Sequence, residues 1–191
     1  MNGILLTHGA GGNKDAALLV AVDAELTKLG WIVERVNLAF RIAGGTPRPA
    51  TSGKDREGLA AGLEALRPRV KRLFLGGHSY GGRQGSMLLA EKGPGFVEGL
   101  LLMGYPLHPP GKPEQLRTAH FPELRTPAMF VSGSKDEFGT VEEMSAALAL
   151  IPGRTELVTI EGARHDLKSG KSGVALRIAT ELARFASEVG K

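Results

Sequence analysis

The sequence predicts a doubly wound α/β fold, a mostly parallel sheet of about six strands with helices on both faces. Three observations carry that expectation. Apolar runs alternate with helical patterns along the whole chain, turn residues separate them, and several runs are continuous blocks. Leu73-Phe74-Leu75 and Leu100-Leu101-Leu102-Met103 are such blocks, and they suit strands covered on both faces, as in a parallel sheet. With 191 residues, 42% of them apolar, one core can hold the chain, so residues 1–191 are read as a single domain.

The strand candidates are Gly3–Thr7, Trp31–Asn37, Leu73–Gly76, Gly99–Gly104, Ala128–Ser132 and Glu156–Ile160. Helices fall between them. Asn13 is placed to cap one running through Leu19, Val22 and Leu26 and stopping at Gly30. Gly82–Lys92 reads as another, and Thr140 with Glu143 reads as a capping box for the stretch ending near Pro152-Gly153. The last helix, about Ser172 to Val189, sets Val174, Leu176, Ile178, Leu182 and Phe185 near one face. Two segments look irregular. Arg41–Lys54 is rich in Gly, Pro, Ser and Thr and reads as a long loop. Leu107–Pro127 is proline-rich and leaves room only for a short helix around Glu114–Ala119. Both follow carboxyl ends of strands, the edge where open α/β sheets bind ligands.

Composition narrows the function classes. Cysteine is absent, which removes disulfides, thiolate metal sites and a cysteine nucleophile. After Met1-Asn2-Gly3 the apolar piece Ile4-Leu5-Leu6 is too short for a signal-peptide core, and no run approaches the roughly 20 apolar residues of a membrane span. A cytoplasmic protein with no membrane partner is expected. Lys and Arg number 24 against 20 Asp and Glu, a mild excess. The basic run Arg67, Arg69, Lys71 and Arg72 reads as a solvated coat at the start of a strand. With only 5% aromatic residues to stack on bases, nucleic acid is not expected as a partner. Oligomeric state is not legible.

Gly77-His78-Ser79-Tyr80-Gly81 matches G-x-S-x-G, and its context gives the match weight. It follows an apolar strand and precedes a helix. A sharp strand-to-helix turn needs glycines on both sides, lifts the serine hydroxyl clear of the sheet and aims a helix N-terminus at it. The bland alternative is a glycine-rich turn whose serine merely caps the helix. A serine hydroxyl is a poor nucleophile near neutral pH, so it needs a base, and the base needs an orienting carboxylate. Asp136 in Ser132-Gly133-Ser134-Lys135-Asp136 and His165 in Glu161-Gly162-Ala163-Arg164-His165 each lie just past a strand end, in the order Ser, Asp, His. Glu137 is the alternative acid, and Asp136 is preferred. Asp166 reads as a surface or loop-capping group, and His78 as pointing into the fold. His108 and His120 lie in the proline-rich segment, where solvent exposure is commoner than function.

Thr7-His8-Gly9-Ala10-Gly11-Gly12-Asn13 follows the first strand. Attack on a carbonyl creates an oxyanion, and each preorganised backbone donor stabilises it by about 2.7–4 kcal/mol. The N–H groups of Ala10 and Tyr80 are the expected donors, with His8 bracing the loop. The same loop opens like a dinucleotide-binding turn, but Lys14 stands where G-x-G-x-x-G needs its last glycine. Glu34, near the end of the second strand, keeps that alternative open. No metal and no cofactor are expected.

With these motifs in place the chain resembles the small dienelactone-hydrolase-like members of the α/β-hydrolase superfamily. It is especially similar to the short group related to testis-expressed hydrolase-like proteins and the KANSL-type chromatin subunit. Four stretches carry this: Thr7–Gly12, Gly77–Arg83, Gly104–Pro113 and Gly133–Gly139. The resemblance implies a minimal α/β-hydrolase sheet with no cap domain, and it supports Ser79, Asp136 and His165 as a triad.

Two functions are carried forward. One is a serine hydrolase cleaving an ester, thioester or lactone of a small-molecule acyl substrate through an acyl-enzyme. The other is a catalytically silent interaction module that kept the fold. For the enzyme, Tyr80, Phe40, Tyr105 and Leu107 are expected to supply apolar contact to the substrate. Arg41, Arg48 or Lys112 would attract a carboxylate, against a simpler role as solvated loop charges.

Overall fold

The computed structural model describes residues 1–168 and 173–189. Six parallel strands form one sheet: β1 (Asn2–Thr7), β2 (Ile32–Val36), β3 (Arg72–His78), β4 (Gly99–Met103), β5 (Ala128–Gly133) and β6 (Thr155–Ile160), in the order β2-β1-β3-β4-β5-β6. Each expected strand is present, with no end shifted by more than two residues. Winding reverses between β1 and β3, so their carboxyl ends border the crevice that such a switch point opens.

Six α-helices complete the fold among the described residues: α1 (Ala17–Lys28), α2 (Ala39–Ile42), α3 (Ser52–Leu66), α4 (Tyr80–Lys92), α5 (Val141–Leu148) and α6 (Val174–Glu188). Successive strand residues enter opposite cores. Leu5, Leu75, Leu100 and Leu102 pack with Leu63 of α3, Leu88 of α4 and Met144 of α5. Ile4, Phe74, Leu101 and Met103 pack on the other face with Leu19 of α1 and Ile178 of α6. Burial on both sides explains why these strands read as continuous apolar runs. Fully burying each such side chain is worth about 1.5–3 kcal/mol relative to exposure. The result is a minimal α/β-hydrolase fold, with no cap domain among the described residues.

Several local expectations need correction. Asn13 does not cap α1. Its side chain accepts the Asp15 N–H at 2.8 Å in a tight turn, and the helix starts at Ala17 without a side-chain cap. The capping box at Thr140 and Glu143 is present in both directions. No helix forms over Glu114–Ala119. That backbone is pinned instead by the Arg117 N–H on the Leu107 carbonyl at 2.8 Å, and the one helical turn nearby spans Phe121–Glu123. The expected loop Arg41–Lys54 is shorter, since α2 runs into it and α3 begins at Ser52. In α6, Leu176 faces solvent while Ile178, Leu182 and Phe185 are buried, and Ser172 lies outside the described residues.

Candidate active site

Ser79 sits between β3 and α4 with φ 49° and ψ −119°, a strained conformation for a residue with a Cβ. Its surroundings hold it there. The Ser79 N–H donates to the Met103 carbonyl of β4 at 2.8 Å, and its own carbonyl accepts the Arg83 N–H at 3.0 Å. The glycines of the motif are required by proximity. A Cβ on Gly77 would lie 2.4 Å from the Gly82 nitrogen, and one on Gly81 would lie 2.3 Å from the His8 carbonyl oxygen. Strand, helix and first loop therefore approach backbone to backbone around Ser79.

The turns after β5 and β6 meet at the same place. Ser79 Oγ lies 2.8 Å from His165 Nε2, and His165 Nδ1 lies 3.0 Å from each carboxylate oxygen of Asp136. An ionised carboxylate only accepts, so Nδ1 carries the imidazole proton and Nε2 is free to accept from Ser79. Asp136 is buried, and its Oδ1 also accepts the Phe138 N–H at 2.8 Å. The Phe138 ring stacks on His165, with centroids 3.9 Å apart. The Lys135 N–H donates to the Ala163 carbonyl at 2.9 Å and ties the two turns together. Glu137 is exposed, so the preference for Asp136 matches the geometry. Asp166 accepts the Lys168 N–H at 3.0 Å, a loop-capping bond. The His78 ring meets the His165 carbonyl at 3.1 Å, and burial lowers its pKa.

The loop after β1 is braced by His8, as expected. His8 is fully buried, and its Nε2 accepts the Leu38 N–H at 3.1 Å, so Nδ1–H donates to the Gly9 carbonyl at 2.8 Å. Burial lowers its pKa and favours this neutral form. Ala10 and Tyr80 both line the cavity in front of Ser79. Among the described residues neither amide N–H has a hydrogen-bond partner. The Tyr80 hydroxyl donates to Asp55 Oδ2 at 2.7 Å, while Asp55 Oδ1 accepts the Phe40 N–H at 3.1 Å. Buried Asp55 thereby joins α2, α3 and the start of α4.

The cavity holds about 670 Å³, and besides Ser79, His165 and the glycine loop it is walled by Pro106, Phe138, Arg83 and Arg117. The other expected contacts do not face it. Phe40 is buried edge-to-face against Tyr80 and His8, and it borders a neighbouring cavity of about 300 Å³. Tyr105 is buried against Phe121 and Phe130, with its hydroxyl donating to the Arg117 carbonyl at 2.6 Å. Leu107 lies wholly in the core. The proline-rich segment folds back so that its large apolar side chains plug the sheet end, leaving Pro106 and Arg117 at the cavity.

The loop histidines are likewise not solvent-exposed. His108 is buried, its Nδ1–H donating to the Pro109 carbonyl at 2.8 Å and its Nε2 lying 3.2 Å from Glu143. The carbonyl bond, then the carboxylate, raise its pKa. His120 Nε2 lies 2.7 Å from Ser86 Oγ, and burial with the charges of Arg83 and Arg56 pushes its pKa down to about 4. Arg41 donates to the Ala10 carbonyl at 3.1 Å, Arg48 borders adjacent cavities, and Lys112 is exposed.

A model of the family described as alpha/beta hydrolase domain matches residues 1–190. Solved structures are similar over nearly the whole chain. A dienelactone hydrolase from Anabaena variabilis is 16% identical, with 99% of this chain and 87% of that one covered at a TM-score of 0.77. Est1E from Butyrivibrio proteoclasticus with ferulic acid bound is 16% identical, with 98% and 90% covered and a TM-score of 0.80. An alpha-beta serine hydrolase homologue from Coxiella burnetii is 20% identical, with 96% and 84% covered and a TM-score of 0.73. At these identities the likeness is one of fold.

Proposed function

The chain belongs to this alpha/beta hydrolase domain family, and we propose that it is a serine hydrolase cleaving an ester, thioester or lactone bond of a small-molecule acyl substrate. The observation that carries this is the unbroken chain from Ser79 Oγ through His165 to Asp136, at 2.8 Å and 3.0 Å, opening on a cavity. In this mechanism His165 Nε2 takes the Ser79 proton as Oγ bonds to the substrate carbonyl carbon. The carbonyl electrons move onto oxygen, where the unpartnered N–H groups of Ala10 and Tyr80 receive them. His165 then gives its proton to the leaving alcohol or thiol as that bond breaks. Water attacks the acyl-serine with His165 again as base, and the acid departs as Ser79 regains its proton. Asp136 holds the imidazole tautomer and offsets its transient charge.

The finer features of the proposal rest on the sequence. Residues 1–191 act as one domain in the cytoplasm, and Gly104–Pro113 supports placement with the testis-expressed and KANSL-type group. The test is a panel of p-nitrophenyl esters of graded acyl length. Turnover by the wild type and its loss in a folded Ser79→Ala variant are expected. Equal turnover by both would overturn the assignment.

A further inference from the structure

Four charged side chains line the cavity in front of Ser79: Arg83, Arg117, Asp166 and Lys168. Asp166 and Lys168 hold each other at 3.3 Å. Arg83 and Arg117 have no carboxylate partner among the described residues. Four other half-buried arginines differ, while Arg41, whose Nε is also buried without a partner among the described residues, donates instead to the Ala10 carbonyl. Arg35 holds Asp15 and Asp23, Arg56 holds Glu91 at 2.9 Å, Arg67 holds Glu64 at 3.1 Å, and Arg72 reaches Glu98 at 3.7 Å. The cavity pair instead places two cations side by side with their charge uncompensated.

Both guanidiniums are short of acceptors. Arg83 Nε is buried with no hydrogen-bond partner among the described residues, a costly state where no acceptor arrives. Among the described residues Arg117 gives only a long bond, 3.3 Å, to the Pro106 carbonyl. Burial and the charge of Arg83 both lower the Arg117 pKa, as expected of a partly desolvated cation facing another. His120, depressed by burial and then by the same Arg83 charge, is neutral near pH 7 and brings no charge to the cluster.

The position of Arg83 gives the pair a direction. It stands one helical turn after Ser79 on α4 and, with Tyr80, is shared by a second cavity of about 320 Å³ along Pro47–Ser52. A substrate seated on Ser79 and extending past Tyr80 must pass this guanidinium. Arginine presents a fork of donors that matches a carboxylate in two parallel bonds, and such charge-assisted bonds are about twice as strong as neutral ones.

We propose that Arg83 and Arg117 form a carboxylate-recognising subsite, so that the preferred substrate carries a free carboxylate on the part that lies beyond Tyr80. This rests on Ser79 as the nucleophile. The two arginines act as specificity determinants: they hold the substrate's charged end and take no proton or electron pair in the reaction.

The experiment compares p-nitrophenyl hydrogen glutarate with p-nitrophenyl pentanoate, which share chain length and leaving group. In the wild type the carboxylate ester should have a kcat/KM at least ten times that of the neutral one. Arg117→Gln and Arg83→Gln should each reduce that ratio fivefold or more, mainly through KM, and Arg117→Lys should recover part of it. Arg177→Gln, which removes an exposed cation on α6 outside the cavity, should leave the ratio as it is. The ratio is internally controlled, because misfolding lowers both rates together. A ratio near one in the wild type, or one that survives the Arg83→Gln/Arg117→Gln double variant, overturns the proposal. Failure of Ser79 as nucleophile looks different: neither ester is turned over. Calorimetric binding of glutarate monomethyl ester to the wild type then decides. Binding weakened tenfold or more by Arg117→Gln upholds the subsite, and absence of binding overturns it.

Discussion

After β3 and after β4 the chain leaves neighbouring strand ends at the same edge of the sheet, and it does so in two different ways. Around Ser79 the backbone itself is the building material: Gly77, Gly81 and Gly82 let strand, helix and the His8 loop meet at distances no Cβ would allow. After β4 the material is side-chain volume, with Tyr105, Leu107, Phe121 and Leu124 buried under a turn-rich, proline-broken segment. Atoms that must be held to within a fraction of an ångström hang from the first kind of structure. The second kind supplies a wall, where shape matters and identity is negotiable.

That contrast is sharpened first at the acid. Asp136→Asn should keep the fold but favour the wrong tautomer of His165, lowering kcat by up to about ten-thousandfold, as in serine proteases. Exposed Glu137→Gln should change it less than about twofold. Reversed effects would mean that the wrong acid has been assigned.

Next comes a methyl group in each region. Gly81→Ala forces a Cβ against the His8 carbonyl, so activity should fall by about a hundredfold or more, with a stability loss of about 2–4 kcal/mol by urea unfolding. Leu107→Met, volume-conserving within the wall, should cost less than about 1.5 kcal/mol. Similar losses at both sites would erase the distinction between backbone-built and packing-built halves.

Asp55 ties α2 and α3 to the backbone-built turn that carries Ser79. Replacing its Tyr80 partner by Phe leaves Asp55 Oδ2 without that donor and should destabilise the protein by about 1–3 kcal/mol. Because Tyr80 lines the cavity and its N–H is the proposed oxyanion donor, kcat should drop more than KM rises in the same variant. A change confined to stability would detach Asp55 from the site.

The smallest effect is on pH dependence. His120 has its pKa pushed from 6.5 to about 4, chiefly by burial. The folded state therefore resists its protonation, and stability declines as pH falls from about 6.5 towards 4. His8 and His78 are lowered by burial and act in the same direction. His108 is raised, so its contribution is present below about 6.5 and is lost as pH climbs through its folded pKa. Between pH 7 and pH 5 the His120 share should be about 1–2 kcal/mol, and His120→Gln should reduce the fall in unfolding free energy by that amount. An unchanged slope would show that water reaches the His120 ring.

The same division explains what could be read from residue order. The six strands were legible because two-sided burial writes continuous apolar runs, and the turns bearing Ser79, Asp136 and His165 were legible because each follows such a run. Helix α3 is hard to read from the sequence, although Leu59, Leu63 and Leu66 keep a helical spacing, because its start lies in residues that look like loop. Phe40, Tyr105 and Leu107 do not line that cavity, because nearness to a strand end says nothing about which way a side chain turns once a segment folds back. Arg83 carried a usable signal: four residues after Ser79, a helix places it on the same side one turn along. Arg117 and Phe138 reach the cavity only through the tertiary path of their loops, which no local pattern encodes.

The central claim is that Ser79 is an activated nucleophile, and a fluorophosphonate probe tests it most directly because it needs no knowledge of the natural substrate. One phosphonyl group per chain is expected, located on Ser79 by peptide mass spectrometry. Labelling should be absent in Ser79→Ala and strongly slowed in His165→Ala. Wild-type protein that stays unlabelled under conditions that label an ordinary serine hydrolase, or labelling that persists unchanged in Ser79→Ala, would contradict it.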